Sequence, residues 1–196
     1  MIHYKDWSLI QLKHLAIAPL LVEEPPLERG KFGYDKNGRM ENLSEEGQVP
    51  NSLARYNHPK YKKLYKGVQS KIETILGEKL YPTYYFDRFY FKGQELKKHH
   101  DRPACEISVS MNISTNATTP WPIYFELPNG DVKELYTNHG DAVLYKGMEL
   151  EHWREPFEGN VCGQVFLHYN HVNGPFAEKN RFDKRPMLGV PPIRNM

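Results

Sequence analysis

The segment Lys97-Lys98-His99-His100-Asp101-Arg102 contains a His-x-Asp pair. On an extended chain residues two apart point to the same side, so His99 and Asp101 can reach one metal ion together. His152, in Glu149-Leu150-Glu151-His152-Trp153-Arg154, falls on a later predicted strand that can be brought back beside the first pair. Two imidazoles and one carboxylate occupy one face of an octahedron and leave three positions open. That set suits catalytic non-haem Fe(II), which must hold a chelating cosubstrate and O2 at once, since a structural site fills its coordination sphere with protein ligands. A second His-x-Asp, His139-Gly140-Asp141, competes on spacing alone. Its central Gly and the preceding Asn138 signal a tight turn, where side chains two apart need not converge, so the His99 copy is favoured. His3, His14, His58, His100, His168 and His171 have no partner at ligand spacing and are read as surface or core residues. His168 shares the last predicted strand with inward-pointing candidates.

These ligands must be positioned by 196 residues, the length of a single structural domain. The hydrophobic fraction is 39% and the mean hydropathy -0.70, and the longest apolar run, Leu15 to Val22, is too short to span a bilayer. Fifteen Pro, 14 Gly and 13% aromatic residues lean away from a helical bundle and toward β structure. A formal charge of +2 carries no nucleic-acid signature, and the basic clusters at Lys60 to Lys66, Lys97 to Arg102 and Lys179 to Arg185 are short and mixed in composition. Cys105 and Cys162, the two cysteines, lie in apolar strand-like stretches and read as small buried hydrophobes in a reducing compartment. The first residues lack a basic segment followed by an uninterrupted apolar one, so no signal peptide is expected and the location is read as cytoplasmic.

Along the chain, residues 1–80 read as an N-terminal helical and loop support region, in which Glu28 to Pro50 is surface loop. A helix opens at Pro59, with apolar positions at Tyr61, Leu64, Val68, Ile72, Ile75 and Leu76, and stops at Gly77. From residue 81 to 173 the period becomes strand-like. Candidate strands are Thr83 to Phe91, Cys105 to Ile113, Ile123 to Leu127, Val132 to Thr137, Ala142 to Tyr145, Glu149 to Trp153 and Gln164 to Tyr169. Asn129-Gly130 predicts a type I′ hairpin, and Gly93, Gly140 and Gly147 punctuate other turns. Short strands preceded by helix indicate a mainly β chain of α+β class, built as a sandwich, jelly roll or barrel. Residues 174–196 read as an extended C-terminal arm.

The run Tyr90-Phe91-Lys92-Gly93 followed by His99-His100-Asp101-Arg102, then Gly140-Asp141-Ala142-Val143-Leu144-Tyr145 and Glu151-His152-Trp153-Arg154, resembles the Fe(II)/2-oxoglutarate-dependent dioxygenases of the prolyl-hydroxylase-like group. The resemblance spans about residues 80 to 172 and implies a cupin-like double-stranded β-helix, or jelly roll. It further implies Fe(II) held by His99, Asp101 and His152, and hydroxylation coupled to oxidative decarboxylation of 2-oxoglutarate by O2, with ascorbate as an optional reductant. It also assigns Gly140-Asp141 to the structural turn ahead of the distal histidine. The family's Arg or Lys for the far carboxylate of 2-oxoglutarate has no counterpart in Val161 to Tyr169. Arg154, two residues past His152 and displaced by roughly 6–7 Å along the strand, is the first substitute, or else pairs with Glu151 or Glu155. Arg102 is the second choice, and Tyr90 offers a hydroxyl. Ser108 and Asn112 share a polar strand face that is either turned into the barrel or exposed, and Trp121 and Trp153 either line a substrate mouth or pack in the core. The rivals are a cupin-type dioxygenase or isomerase working without 2-oxoglutarate, and a non-catalytic jelly-roll binding module. The substrate, a peptide residue such as proline or a small molecule, is left open, as is the oligomeric state.

Overall fold

The computed structural model describes residues 7–15, 28–44, 46–115 and 120–185; His3 and the part of the terminal arm beyond Arg185 lie outside them. Pro59 opens a single 3-10 turn that runs into α1 (Lys62–Leu76), which ends at Gly77. Its buried stripe, Tyr65, Val68, Ile72 and Leu76, lies against β5 (Leu80–Phe91), whose long run alternates Tyr85 and Phe89 toward α1 with Tyr84, Phe86, Arg88 and Tyr90 on the opposite face. The Tyr65 hydroxyl donates to the backbone carbonyl of His168 at 2.6 Å, and that of Tyr169 returns a bond to Tyr65 at 3.0 Å.

Seven further strands complete the barrel: β6 (Leu96–His99), β7 (Ile107–Thr115), β8 (Ile123–Glu126), β9 (Val132–Leu135), β10 (Ala142–Tyr145), β11 (Glu151–Arg154) and β12 (Val161–His171). They divide into two sheets. One contains the order β10-β7-β12-β5 and the other β6-β11-β8-β9, so the chain crosses repeatedly from one sheet to the other. This is the double-stranded β-helix. Ile107, Val109, Met111 and Ile113 of β7 face the helix-covered core, while Ser108, Ser110 and Asn112 are also buried, toward the barrel interior. A strand lined on both faces cannot expose its polar side, which decides that alternative.

Two expectations are corrected. The N-terminal region is not confined to helix and loop: β1 (Leu9–Leu12), β2 (Gly30–Tyr34), β3 (Met40–Ser44) and β4 (Leu53–Tyr56) add to the first sheet, giving β1-β10-β7-β12-β5-β4-β2-β3. The span Glu28 to Pro50 carries no local strand signal because β2 has two glycines in five residues and β3 has no β-branched or aromatic residue, and their pairing is fixed by tertiary register instead of local propensity. The hairpin after β8 is not type I′ either, since only Gly130 has positive φ (85°) and Asn129 does not. Pro128 fixes the first turn position near -65°, and the Gly130 amide donates to the Leu127 carbonyl at 2.8 Å, a type I turn closed by a left-handed Gly.

Between β4 and β5, Arg55 faces Asp87 across the ladder, and its Nε lies 3.1 Å from both carboxylate oxygens in a buried pair. Removing one partner strands the other charge away from water. Asp87→Ala should cost about 3–5 kcal/mol, read as a lower urea midpoint at unchanged slope.

Candidate metal centre

β6 and β11 run antiparallel with His99 directly opposite His152. Their rings lie 4.4 Å apart between centroids. Asp101 follows β6 in a short connection, and its amide donates to the Gly147 carbonyl at 2.8 Å. The outcome is a carboxylate facing both imidazoles: Asp101 Oδ1 is 3.7 Å from His99 Nε2 and 3.8 Å from His152 Nε2. The ligand atoms of all three residues lie within 4.8 Å of one another. Both histidines engage a backbone carbonyl through Nδ1, His99 with Lys97 at 2.8 Å and His152 with Leu150 at 3.0 Å, which fixes the tautomer that puts the lone pair on Nε2; that of His99 accepts from Gln48 Nε2. Burial lowers the His152 pKa, holding that ring neutral as a ligand should be. Burial would raise the Asp101 carboxyl, but contact with His99 and the potential of His152 and His168 keep it below its ordinary value.

The other oxygen of Asp101 is held from behind. Ser108 Oγ lies 3.0 Å from Asp101 Oδ2, 3.0 Å from the Cys105 carbonyl and 2.9 Å from His168 Nδ1. The hydroxyl has one proton for three neighbours; given to the Asp101 carboxylate, the charged acceptor, it leaves Oγ to accept from His168 Nδ1, the tautomer in which every one of these groups can be served. Burial pushes His168 down to about 4, so the ring is neutral, and its Nε2 has no partner. Gly147 closes this corner. A Cβ there would sit 2.3 Å from Asp101 Oδ2 and 2.5 Å from the Cys105 carbonyl, distances that no side chain can occupy. In sequence Gly147 has the look of turn punctuation alone, since nothing local announces the approach of a segment so distant in the chain. Gly147→Ala should reduce metal affinity about 10–100-fold by displacing Asp101, measured by titration calorimetry with Mn(II). An unchanged affinity would show that the carboxylate is not held by this contact.

The competing motif is a turn. Asp141 accepts from Lys13 Nζ at 2.9 Å, the His14 amide at 3.0 Å and the Asn138 amide at 3.1 Å, which uses its carboxylate to anchor β1. Asp101, Cys105 and His168 also cluster, but burial raises the Cys105 thiol well above its ordinary range and Tyr84 Oη lies 3.1 Å from it, so no thiolate is offered.

Among the anchor candidates, Arg154 follows His152 on β11 and is 1% exposed. It pairs with neither Glu151 nor Glu155: Nη1 donates to the Trp121 carbonyl at 3.0 Å, while Nε and Nη2 have no partner. Burial lowers its pKa, against the potential of Cys162, Tyr90 and Tyr145. The Tyr90 hydroxyl is likewise buried and unpartnered, and Tyr90 packs edge-on against Trp121 at 4.9 Å, the ring that Arg154 covers at 4.7 Å. Tyr90 and Cys162 are paired across β5 and β12, and the Arg154 guanidinium feels both from β11. Arg102 does not converge on this place. It donates to Asp183 at 2.7 Å and covers Tyr84. Asn112 donates to the Thr137 carbonyl at 2.9 Å. Trp121 packs on Phe157 and Trp153 stacks on Tyr124.

A cavity of about 360 Å³ opens beside the triad. Its wall includes Arg88, which no sequence motif marks although it alternates with Tyr84, Phe86 and Tyr90 on one strand face. Arg88 binds Glu46 at 3.0 Å and Gln48 Oε1 at 2.9 Å, and Gln48 Nε2 lies 3.0 Å from His99 Nε2, so the 46–48 segment straps one side of the cavity.

No family model and no curated protein matches the sequence. Solved structures do. The chain is similar to a prolyl-4-hydroxylase from Pseudomonas putida at TM-score 0.58 and 14% identity, over 83% of this chain and 92% of that one. It is similar to SnoN, a non-heme alpha ketoglutarate dependent epimerase from nogalamycin biosynthesis, at TM-score 0.64 and 11% identity, over 96% and 88%. It also matches HygX from Streptomyces hygroscopicus, solved with nickel, 2-oxoglutarate and hygromycin B, at TM-score 0.54 and 10% identity, over 67% and 74%. At such identities the likeness is one of fold.

Proposed function

We propose that the chain is an Fe(II)- and 2-oxoglutarate-dependent dioxygenase that hydroxylates a C–H bond, converting 2-oxoglutarate, O2 and substrate into succinate, CO2 and alcohol. The observation that carries this reading is β11, which turns both the triad histidine His152 and the buried, incompletely paired Arg154 inward. A metal triad alone would equally serve a cupin-type enzyme. A buried guanidinium with two unpartnered nitrogens calls for an anion, and a carboxylate matches its planar fork. Double-stranded β-helix neighbours whose own names include 2-oxoglutarate or ketoglutarate support the same choice.

In this reading His99, Asp101 and His152 hold Fe(II) on one face, and Ser108 and Gly147 keep the Asp101 carboxylate turned toward it. The metal, when bound, supplies the O2 chemistry that no side chain can perform. Arg154 and Tyr90 bind the far carboxylate of 2-oxoglutarate, and the aromatic lining of β5 excludes water. In this reading residues 81–173 are the oxygenase core, and β1 to β4 extend its first sheet. Among the described residues no helix is long and apolar enough to cross a membrane. Under argon, adding 2-oxoglutarate to the Fe(II)-loaded protein should produce a visible charge-transfer band. Metal binding without that band would leave a metal enzyme of the cupin kind and refute the cosubstrate.

A further inference from the structure

We propose that the substrate is a small anionic molecule with a flat apolar body, its anion held by Arg102 and Arg185 and one of its N–H or O–H groups held by His168 Nε2. The inference rests on the dioxygenase reading for what is done to that molecule, but its recognition chemistry comes from the cavity wall alone.

The charges come first. Among the described residues the wall carries the cations Lys31, Arg88, Arg102 and Arg185 against the carboxylates of Glu46 and Asp101. Glu46 is committed to Arg88, and Asp101 belongs to the metal triad. Arg102 and Arg185 share the single buried carboxylate of Asp183, so this pair keeps an excess positive charge. Asp183 sits in three successive residues of left-handed conformation, Phe182 to Lys184, with φ of 55°, 57° and 60°. Both guanidinium groups lie over the Tyr84 ring, Arg102 at 4.7 Å and Arg185 at 5.4 Å, and their side chains remain 37% and 40% exposed. They are thus fixed in place with donors still free.

The body of the ligand follows from what lies beneath. Tyr84, Phe86 and Tyr56 stack with interplanar angles of 9° to 16°, and Phe166 continues the stack against Phe86 at 4.8 Å. This floor suits a planar group. At the end beside Asp101, His168 lines the cavity and presents a bare Nε2, because Nδ1 is spent on Ser108. A buried acceptor without a partner selects for a donor on the ligand. The cavity, about 360 Å³ and strapped by residues 46–48, is at the small end of the usual range for small-molecule sites, which favours a small molecule over a peptide.

Calorimetry on the Fe(II)- and 2-oxoglutarate-loaded protein under argon tests this with four probes: 4-hydroxybenzoate, 4-hydroxyphenyl phosphate, 4-hydroxybenzamide and 4-methoxybenzoate. At least one of the two hydroxylated anions should bind about tenfold or more tightly than the amide, the worth of a charged hydrogen bond. The acid and the phosphate separate the two sources of anion. Arg185→Gln should abolish the preference for the anion, whereas His168→Leu should abolish only the preference of hydroxyl over methoxy. Equal binding of acid and amide, or binding of a proline-containing peptide but none of these probes, would overturn the inference. The charge-transfer band reports the dioxygenase reading separately: probe selectivity without a band spares this inference, and a band without selectivity spares only the reading.

Discussion

Asp101→Ala should remove metal binding from the barrel while leaving it folded. The carboxylate faces both imidazoles through one oxygen and is held by Ser108 through the other, so no second group can take its place among the described residues of that corner. An outer partner of a metal ligand is worth about 10–100-fold in affinity, and loss of the ligand itself should exceed that. Titration of Fe(II) under argon should show binding weakened beyond about a hundredfold, with turnover lost in parallel. His152→Ala should behave alike, because its ring is neutral, buried and fixed through Leu150. Circular dichroism and a thermal melt identify a variant that has merely unfolded. A folded variant with unchanged metal affinity would refute the ligand set.

Arg154→Met separates function from stability, because the two should move in opposite directions. Losing the anchor of a carboxylate costs about 2–5 kcal/mol, so binding of 2-oxoglutarate should weaken between about thirtyfold and several thousandfold. Fe(II) binding should persist, since Arg154 touches no ligand. Without a diacid, the same change removes a buried cation with two unpartnered nitrogens and leaves an apolar side chain of similar volume. Replacements of that kind are neutral or stabilising by about 1–4 kcal/mol, offset here by the single lost bond to Trp121. The melting temperature without 2-oxoglutarate should therefore hold or rise, by about 2–4 °C for each kcal/mol. A large fall in melting temperature with intact 2-oxoglutarate binding would make Arg154 a structural residue.

What was legible in the sequence is what local chemistry determines. α1 announced itself by Pro59, a helical stripe and Gly77, and β10 by a short apolar run between turns. His99, Asp101 and His152 stood out because metal ligation restricts residue type and the strand period restricts spacing. The two His-x-Asp copies were separable because Gly140 belongs in a turn. Hidden features depend on contacts between segments far apart in the chain. Gly147 matters only because Asp101, Cys105 and Ser108 arrive beside it. The role of Arg88 depends on Glu46 and Gln48, and the conversion of 28–50 from expected loop to strands depends on the edge of β4. Arg154 was named as an anchor candidate, yet the lack of a carboxylate partner is a property of its burial and cannot be read from its neighbours in sequence.

The added N-terminal strands carry a consequence for solubility. A bare four-stranded half of the barrel would present two rows of unpaired backbone amides and carbonyls, ready to recruit another chain. β1 covers β10 at one side, while β4, β2 and β3 succeed one another at the other, so the edge strands are the short β1 and β3, the latter with Glu41 and Asn42 exposed. The first part of the chain thus acts as a guard against self-association. Trimming it to isolate the metal-bearing half would yield aggregates before it yielded a smaller enzyme.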